Sequence, residues 1–136
     1  MKKLVLALML VLGLAVSASA ATKTFKHFSM DVPAGWTASE DGDTAIVVAD
    51  DKSAALSVTK EGTDGMSAKD LAAAYSKELK GTTPTQDGEA FMFNFKNAAG
   101  VDSKCILMVE GKEYALFVLT GESDKFGPML QSIKEK

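Results

Sequence analysis

The sequence predicts an α+β fold: a single antiparallel β-sheet of about seven strands in a meander, with one long helix after the fourth strand and a short C-terminal helix packed on it, sandwich-like. Three observations carry this. Turn residues recur at short, regular intervals after residue 21, the rhythm of antiparallel strands. Between the turns, apolar and polar residues alternate with period two. Only two segments, residues 67–80 and 128–133, switch to helical periodicity.

In the first strand Phe28, Met30 and Val32 alternate with Ser29 and Asp31, a parity that sends Phe25 and His27 outward with Ser29. Pro33-Ala34-Gly35 ends it. Residues 36–40 form a second strand, Asp41-Gly42-Asp43 a hairpin turn, and residues 44–49 a third strand. After the turn Asp50-Asp51-Lys52, the fourth strand covers residues 53–60, with Ala54, Leu56 and Val58 inward. Ser67 is the N-cap of the long helix, Asp70 its capping-box acid, and Met66 the staple onto Leu71. Leu71, Tyr75 and Leu79, with Ala68 and Ala72 beside them, give one apolar stripe, and Gly81 closes the helix.

A polar loop over residues 82–88 leads to the fifth strand, where Phe91, Phe93 and Phe95 alternate with Met92, Asn94 and Lys96. Residues 97–100 turn the chain. The sixth strand, about residues 101–110, and the seventh, 114–120, flank Gly111-Lys112-Glu113 and are apolar on both faces at mid-length, so both are expected to be central. One turn at residues 123–126 precedes the final helix, with Pro128 at its first position and Phe126, Met129, Leu130 and Ile133 on its apolar face.

The first twenty residues, MKKLVLALMLVLGLAVSASA, have two lysines, a 13-residue apolar run over residues 4–16, and Ala18-Ser19-Ala20 as a cleavage signal. They are expected to be a secretory signal peptide cut after Ala20, since the run is short of the roughly 20 residues that span a bilayer. The mature chain, residues 21–136, is then one domain, periplasmic or secreted, with no stable membrane insertion. It carries 13 lysines against 18 acids and no arginine. That balance repels nucleic acid and lacks the planar fork that grips phosphate or guanine, so no nucleic acid is expected as partner.

A signal peptide, then "FSMDVPAGWTAS", a series of hairpins, an amphipathic helix, three further strands and the ending "MLQSIKEK" resemble the PsbP/DcrB-like superfamily. The resemblance covers most of residues 25–136. It implies a small exported or lumenal protein with an antiparallel sheet sandwiched by helices, and a structural corner at "VPAGW".

Functional side chains are few. Trp36 follows a Pro-x-Gly turn, where its ring caps one end of the core and its N–H reaches a backbone carbonyl, the alternative being an exposed ligand platform. The ladder Phe91, Phe93, Phe95 reads as one core face, or as an interaction patch or lipid groove where uncovered. His27 is the one imidazole, and no signal places a nucleophile beside it. Cys105, the one cysteine, sits in an apolar run as a buried, inert thiol. Neither makes a zinc pattern. Glu40, Asp41 and Asp43 share one end of the expected sheet with Glu61 and Asp64, the one arrangement offering oxygen ligands to calcium, but EF-hand spacing is absent and such acids are ordinary turn chemistry. No catalytic residue, metal or cofactor is therefore expected.

The leading expectation is a non-enzymatic binding or accessory protein of the cell envelope, whose partner is another envelope protein. Two other readings stay open. One is a carrier of a small apolar ligand between the sheet and the long helix, and the other an enzyme built on converging carboxylates.

Overall fold

A computed structural model of the chain describes residues 21–136, and the expected signal peptide lies outside the described residues. Ten strands and two helices follow in the order β1 (Ala21–Thr24), β2 (Phe28–Val32), β3 (Trp36–Asp41), β4 (Thr44–Ala49), β5 (Ala54–Gly62), α1 (Ala68–Leu79), β6 (Thr85–Asp87), β7 (Ala90–Lys96), β8 (Asp102–Glu110), β9 (Glu113–Gly121), α2 (Phe126–Gln131) and β10 (Lys134–Glu135). The fold is α+β, as expected. Seven strands form one antiparallel sheet in the order β3-β4-β5-β9-β8-β7-β6.

The path through that sheet is not one meander. β3-β4-β5 form one run of hairpins and β7-β8-β9 another, α1 crosses between them, and the runs join where β5 pairs with β9 from Ala54↔Gly121 to Gly62↔Glu113. Nor is the sheet single. The expected first strand, β2, leaves it and forms a second, three-stranded sheet with β1 and β10. Its Phe28, Met30 and Val32 point inward as predicted, but into the gap between two sheets. Alternation fixes which side chains are buried, not which sheet a strand joins.

Successive side chains on a strand point to opposite faces. Ala45 and Val47 of β4, Leu56 and Val58 of β5, and Phe117 and Leu119 of β9 line one face, and the small sheet and α2 cover them with Met30, Phe28 and Met129. This is the first core. On the other face Phe93 of β7, Cys105 and Leu107 of β8, and Tyr114 and Leu116 of β9 meet Leu71 and Ala72 of α1. This is the second. The covers are thus offset, one over the β3-β4-β5 half and one over the β7-β8 half, and only β9 contributes to both.

Local signals explain most boundaries. The Ser67 hydroxyl accepts from the Asp70 N–H at 3.1 Å, a working N-cap, although Met66 is itself exposed and not the buried staple expected. The helix closes at Lys80, whose φ of 57° is left-handed, one residue before Gly81. Gly81 is needed for another reason. A Cβ there would sit 2.6 Å from Phe93 and 2.8 Å from the Asn94 carbonyl, so the close approach of chain to β7 requires glycine. The expected loop at residues 82–88 contains β6, which pairs with β7 from Thr85↔Met92 to Asp87↔Ala90. α2 begins at Phe126, two residues before Pro128, because Lys125 already occupies the cap position. Phe25 is buried, against the expected outward parity, because residues 25–27 form a turn closed by the Phe25 N–H to Phe28 carbonyl bond at 2.7 Å.

Gly121 ends the β5–β9 pairing with φ of 75°, and a Cβ on it would strike the Ser53 carbonyl. Gly62, at the opposite end, meets nothing closer than 3.8 Å and has no left-handed φ. Gly121→Ala should therefore cost about 2 kcal/mol or more by urea denaturation, while Gly62→Ala stays within about 1 kcal/mol of the parent.

Candidate functional site

The offset covers leave half of each face of the large sheet without a second layer, and the neighbouring positions decide its chemistry. On the face of the first core, Ile106 lies opposite Phe117 and Met92, and Met108 opposite Ala115 and Ala90. Neither core contains Met92, Ile106 or Met108, and Met108 is 42% exposed. The result is an apolar stripe over β7 and β8, with Lys104 at one end and Glu110 at the other. The bare half of the opposite face differs. There Thr37, Ser39, Thr44, Ser57 and Thr59 surround Ile46 and Val48, and the Thr44 and Thr59 hydroxyls bond at 2.7 Å.

At one end of the sheet a groove of about 1080 Å3 runs between the end of α1 and the start of α2. Leu79, Phe95, Leu119 and Phe126 give it apolar walls, and Lys80, Lys96 and Lys104 stand along it with Asp102 and Glu122. The helix–sheet interface itself, where a carrier would have held its ligand, is filled by Leu71, Ala72, Phe93, Cys105 and Leu107. A second, smaller cavity of about 200 Å3 lies by Thr82, Met92 and Phe93.

Trp36 lies at the turn closed by its N–H to the Pro33 carbonyl at 3.3 Å. Its half-buried ring meets Phe126 edge-on, with centroids 6.1 Å apart, so it caps the first core beside a wall of the groove. Its indole N–H finds no backbone carbonyl among the described residues, against expectation. Phe93 is buried and Phe91 and Phe95 pack half-buried beside the second core, so the ladder is one core face whose last ring, Phe95, also walls the groove. Phe95 thus lines the groove directly and Trp36 stands behind its Phe126 wall, which strand periodicity does not reveal.

The polar side chains settle into separate groups. His27 Nε2 is 2.8 Å from Asp43 Oδ1, and Lys26 Nζ is 3.0 Å from the same oxygen, while the Lys26 N–H donates to Glu40 at 2.6 Å. Hydrogen bonds from His27 and then Lys26 hold the Asp43 carboxyl below its ordinary value of 3.8. His27 lines neither cavity. At the same end of the sheet, Tyr114 donates to Glu61 at 2.8 Å, so its oxygen accepts from Tyr75 at 2.6 Å. Burial first, and then those two bonds, raise the Tyr114 pKa. The Cys105 thiol is pushed up to about 12 by burial, which leaves it protonated and inert at neutral pH. The acidic turns do not converge: among the described residues no three His, Cys, Asp or Glu side chains are placed to hold a metal ion. No described helix is long and apolar enough to cross a membrane.

No protein-family model and no curated protein matches the chain. Its fold is similar to solved structures. The solution structure of cyanobacterial PsbP (CyanoP) from Synechocystis aligns with a TM-score of 0.52 at 11% identity, over 88% of this chain and 94% of that one. A crystal structure from Bacteroides thetaiotaomicron aligns with a TM-score of 0.51 at 16% identity, over 80% of this chain. The match spans 45% of that second chain's length. At such identities the likeness shows a PsbP-like fold alone.

The Lys26, His27 and Asp43 cluster makes a pH prediction. Because the Asp43 pKa is lowered on folding, its contribution is fully present above pH 3.8 and is lost as pH falls through the folded value. Asp43→Asn should be less stable than the parent at pH 7, and the gap should close in thermal melts below about pH 3.8.

Proposed function

We propose that the chain is a non-catalytic, exported binding or accessory protein of the cell envelope, a PsbP/DcrB-like module, acting through protein contacts made by the bare half-face over β7 and β8. The observation that carries this reading is the stripe of exposed Met108 with half-buried Met92 and Ile106, which sits outside both cores on a regular sheet. Apolar groups left contiguous on a surface mark contact sites, and flexible methionines suit a surface that must fit another protein. The polar groups support a non-catalytic role. Asp43 is engaged by Lys26 and His27, Glu61 by Tyr114, and Cys105 is buried, so these two carboxylates, the imidazole and the thiol have structural places where they stand. The leader MKKLVLALMLVLGLAVSASA supports export.

A second reading, carriage of a small apolar ligand, is favoured by the 1080 Å3 groove, whose size matches the roughly 300–1,000 Å3 of ligand pockets. The ligand would lie at the sheet end, not under α1.

Lysine-directed cross-linking in intact cells, with identification of the attached protein, tests the leading reading. Ile106→Thr with Met108→Glu should abolish the cross-linked product while leaving the fold intact, since Met108 is exposed and threonine keeps the β-branched shape of half-buried Ile106 in its strand. Undiminished cross-linking by the double variant would contradict it.

A further inference from the structure

The groove carries more than size. Of its three lysines, Lys96 is spent on Asp102 at 2.6 Å. Lys80 and Lys104 have no ion pair among the described residues, and they face one carboxylate without a partner, Glu122. The groove is therefore left with an excess positive charge, in a mature chain of 13 lysines and 18 acids. Such local reversal of sign sets up attraction for an anion.

The placement of each lysine matters. Lys104 stands directly across from Leu119 on β9 and Asn94 on β7, so its stem runs beside an apolar wall. Lys80 follows Leu79 at the end of α1, where two of the helix's last carbonyls are already engaged: Ser76 accepts from the Gly81 N–H and Lys77 from the Lys80 N–H. That capping reduces the repulsion a bare helix C-terminus would exert on an anion. Apolar walls from Leu79, Phe95, Leu119 and Phe126, with ammonium groups on the rim, are complementary to a molecule with an alkyl body and an anionic head.

We propose that the groove binds a free single-chain amphiphile with a carboxylate head, its chain along Leu119 and Phe126 and its head between Lys80 and Lys104. This rests on the carrier reading and names its ligand class. Trp36, the chain's one tryptophan, touches Phe126 edge-on and so reports occupancy from outside the groove.

The test is a titration of the mature protein with laurate below its micelle concentration, followed by Trp36 emission, alongside octanoate and dodecyltrimethylammonium. Laurate should shift the emission and bind at least tenfold more tightly than octanoate, since each buried methylene is worth about fourfold. Dodecyltrimethylammonium should bind at least fivefold more weakly. Lys80→Glu with Lys104→Glu, both on exposed residues, should weaken laurate roughly five- to tenfold with an unchanged urea midpoint. Equal binding of laurate and the cation, or a double variant that binds laurate as the parent does, overturns head-group recognition while the carrier reading stands. No binding of any of the three amphiphiles overturns both. Sedimentation with phosphatidylglycerol vesicles without binding of free laurate overturns the free amphiphile in favour of a membrane surface.

Discussion

Strand β9 is the constraint on which the structure depends. Tyr114, Leu116 and Val118 go to the second core, and Phe117 and Leu119, which alternate with them, go to the first. Every other strand gives apolar side chains to one core at most. A strand with two apolar faces must be covered twice, and here the covers come from different parts of the chain: α1 on one side, the small sheet with α2 on the other. Each is too narrow for seven strands, so covering β9 twice leaves two diagonal half-faces bare. The proposed contact surface follows from that diagonal.

The layers are tied at their margins by polar contacts. His27 and Lys26 reach Asp43 from the turn before β2, Lys60 of β5 reaches Glu135 of β10 at 3.0 Å, and the Lys136 N–H returns to the His27 carbonyl. These partly buried polar ties hold the small sheet against the large one. Apolar area does the rest, since Met30, Val47, Leu56, Leu107 and Met129 are all fully buried. The chain has no disulfide to assist them.

Much of this is legible in the residues. Leu56 and Phe93 fall on the inward parity of their strands and are buried, and Ser67 caps the helix that follows it. What escapes has identifiable causes. β1 reads ATKT, β6 TQD and β10 KE, short polar runs that form only because a longer strand lies beside them. Propensity and pattern carry no signal for such edges. β8 is apolar on both faces at mid-length, which predicts an interior strand; it is interior within the sheet, yet its Ile106 and Met108 face is bare. Periodicity reports that a face is apolar, not whether another layer reaches it. The groove is invisible for the same reason, because Leu79, Phe95, Leu119 and Phe126 each read as core and come from four separate elements.

If β9 is the shared element, it must hold both cores in one cooperative unit. Native-state hydrogen exchange resolved by residue measures this directly. The amides of residues 114–120 should exchange most slowly, at the rate of global unfolding, with residues in β5 and β8 close behind and those in β3 and β6 fastest. Exchange of β9 ahead of β4 or β7, or opening of the halves on either side of it with separate denaturant dependences, would show two independent cores and contradict the role given to β9.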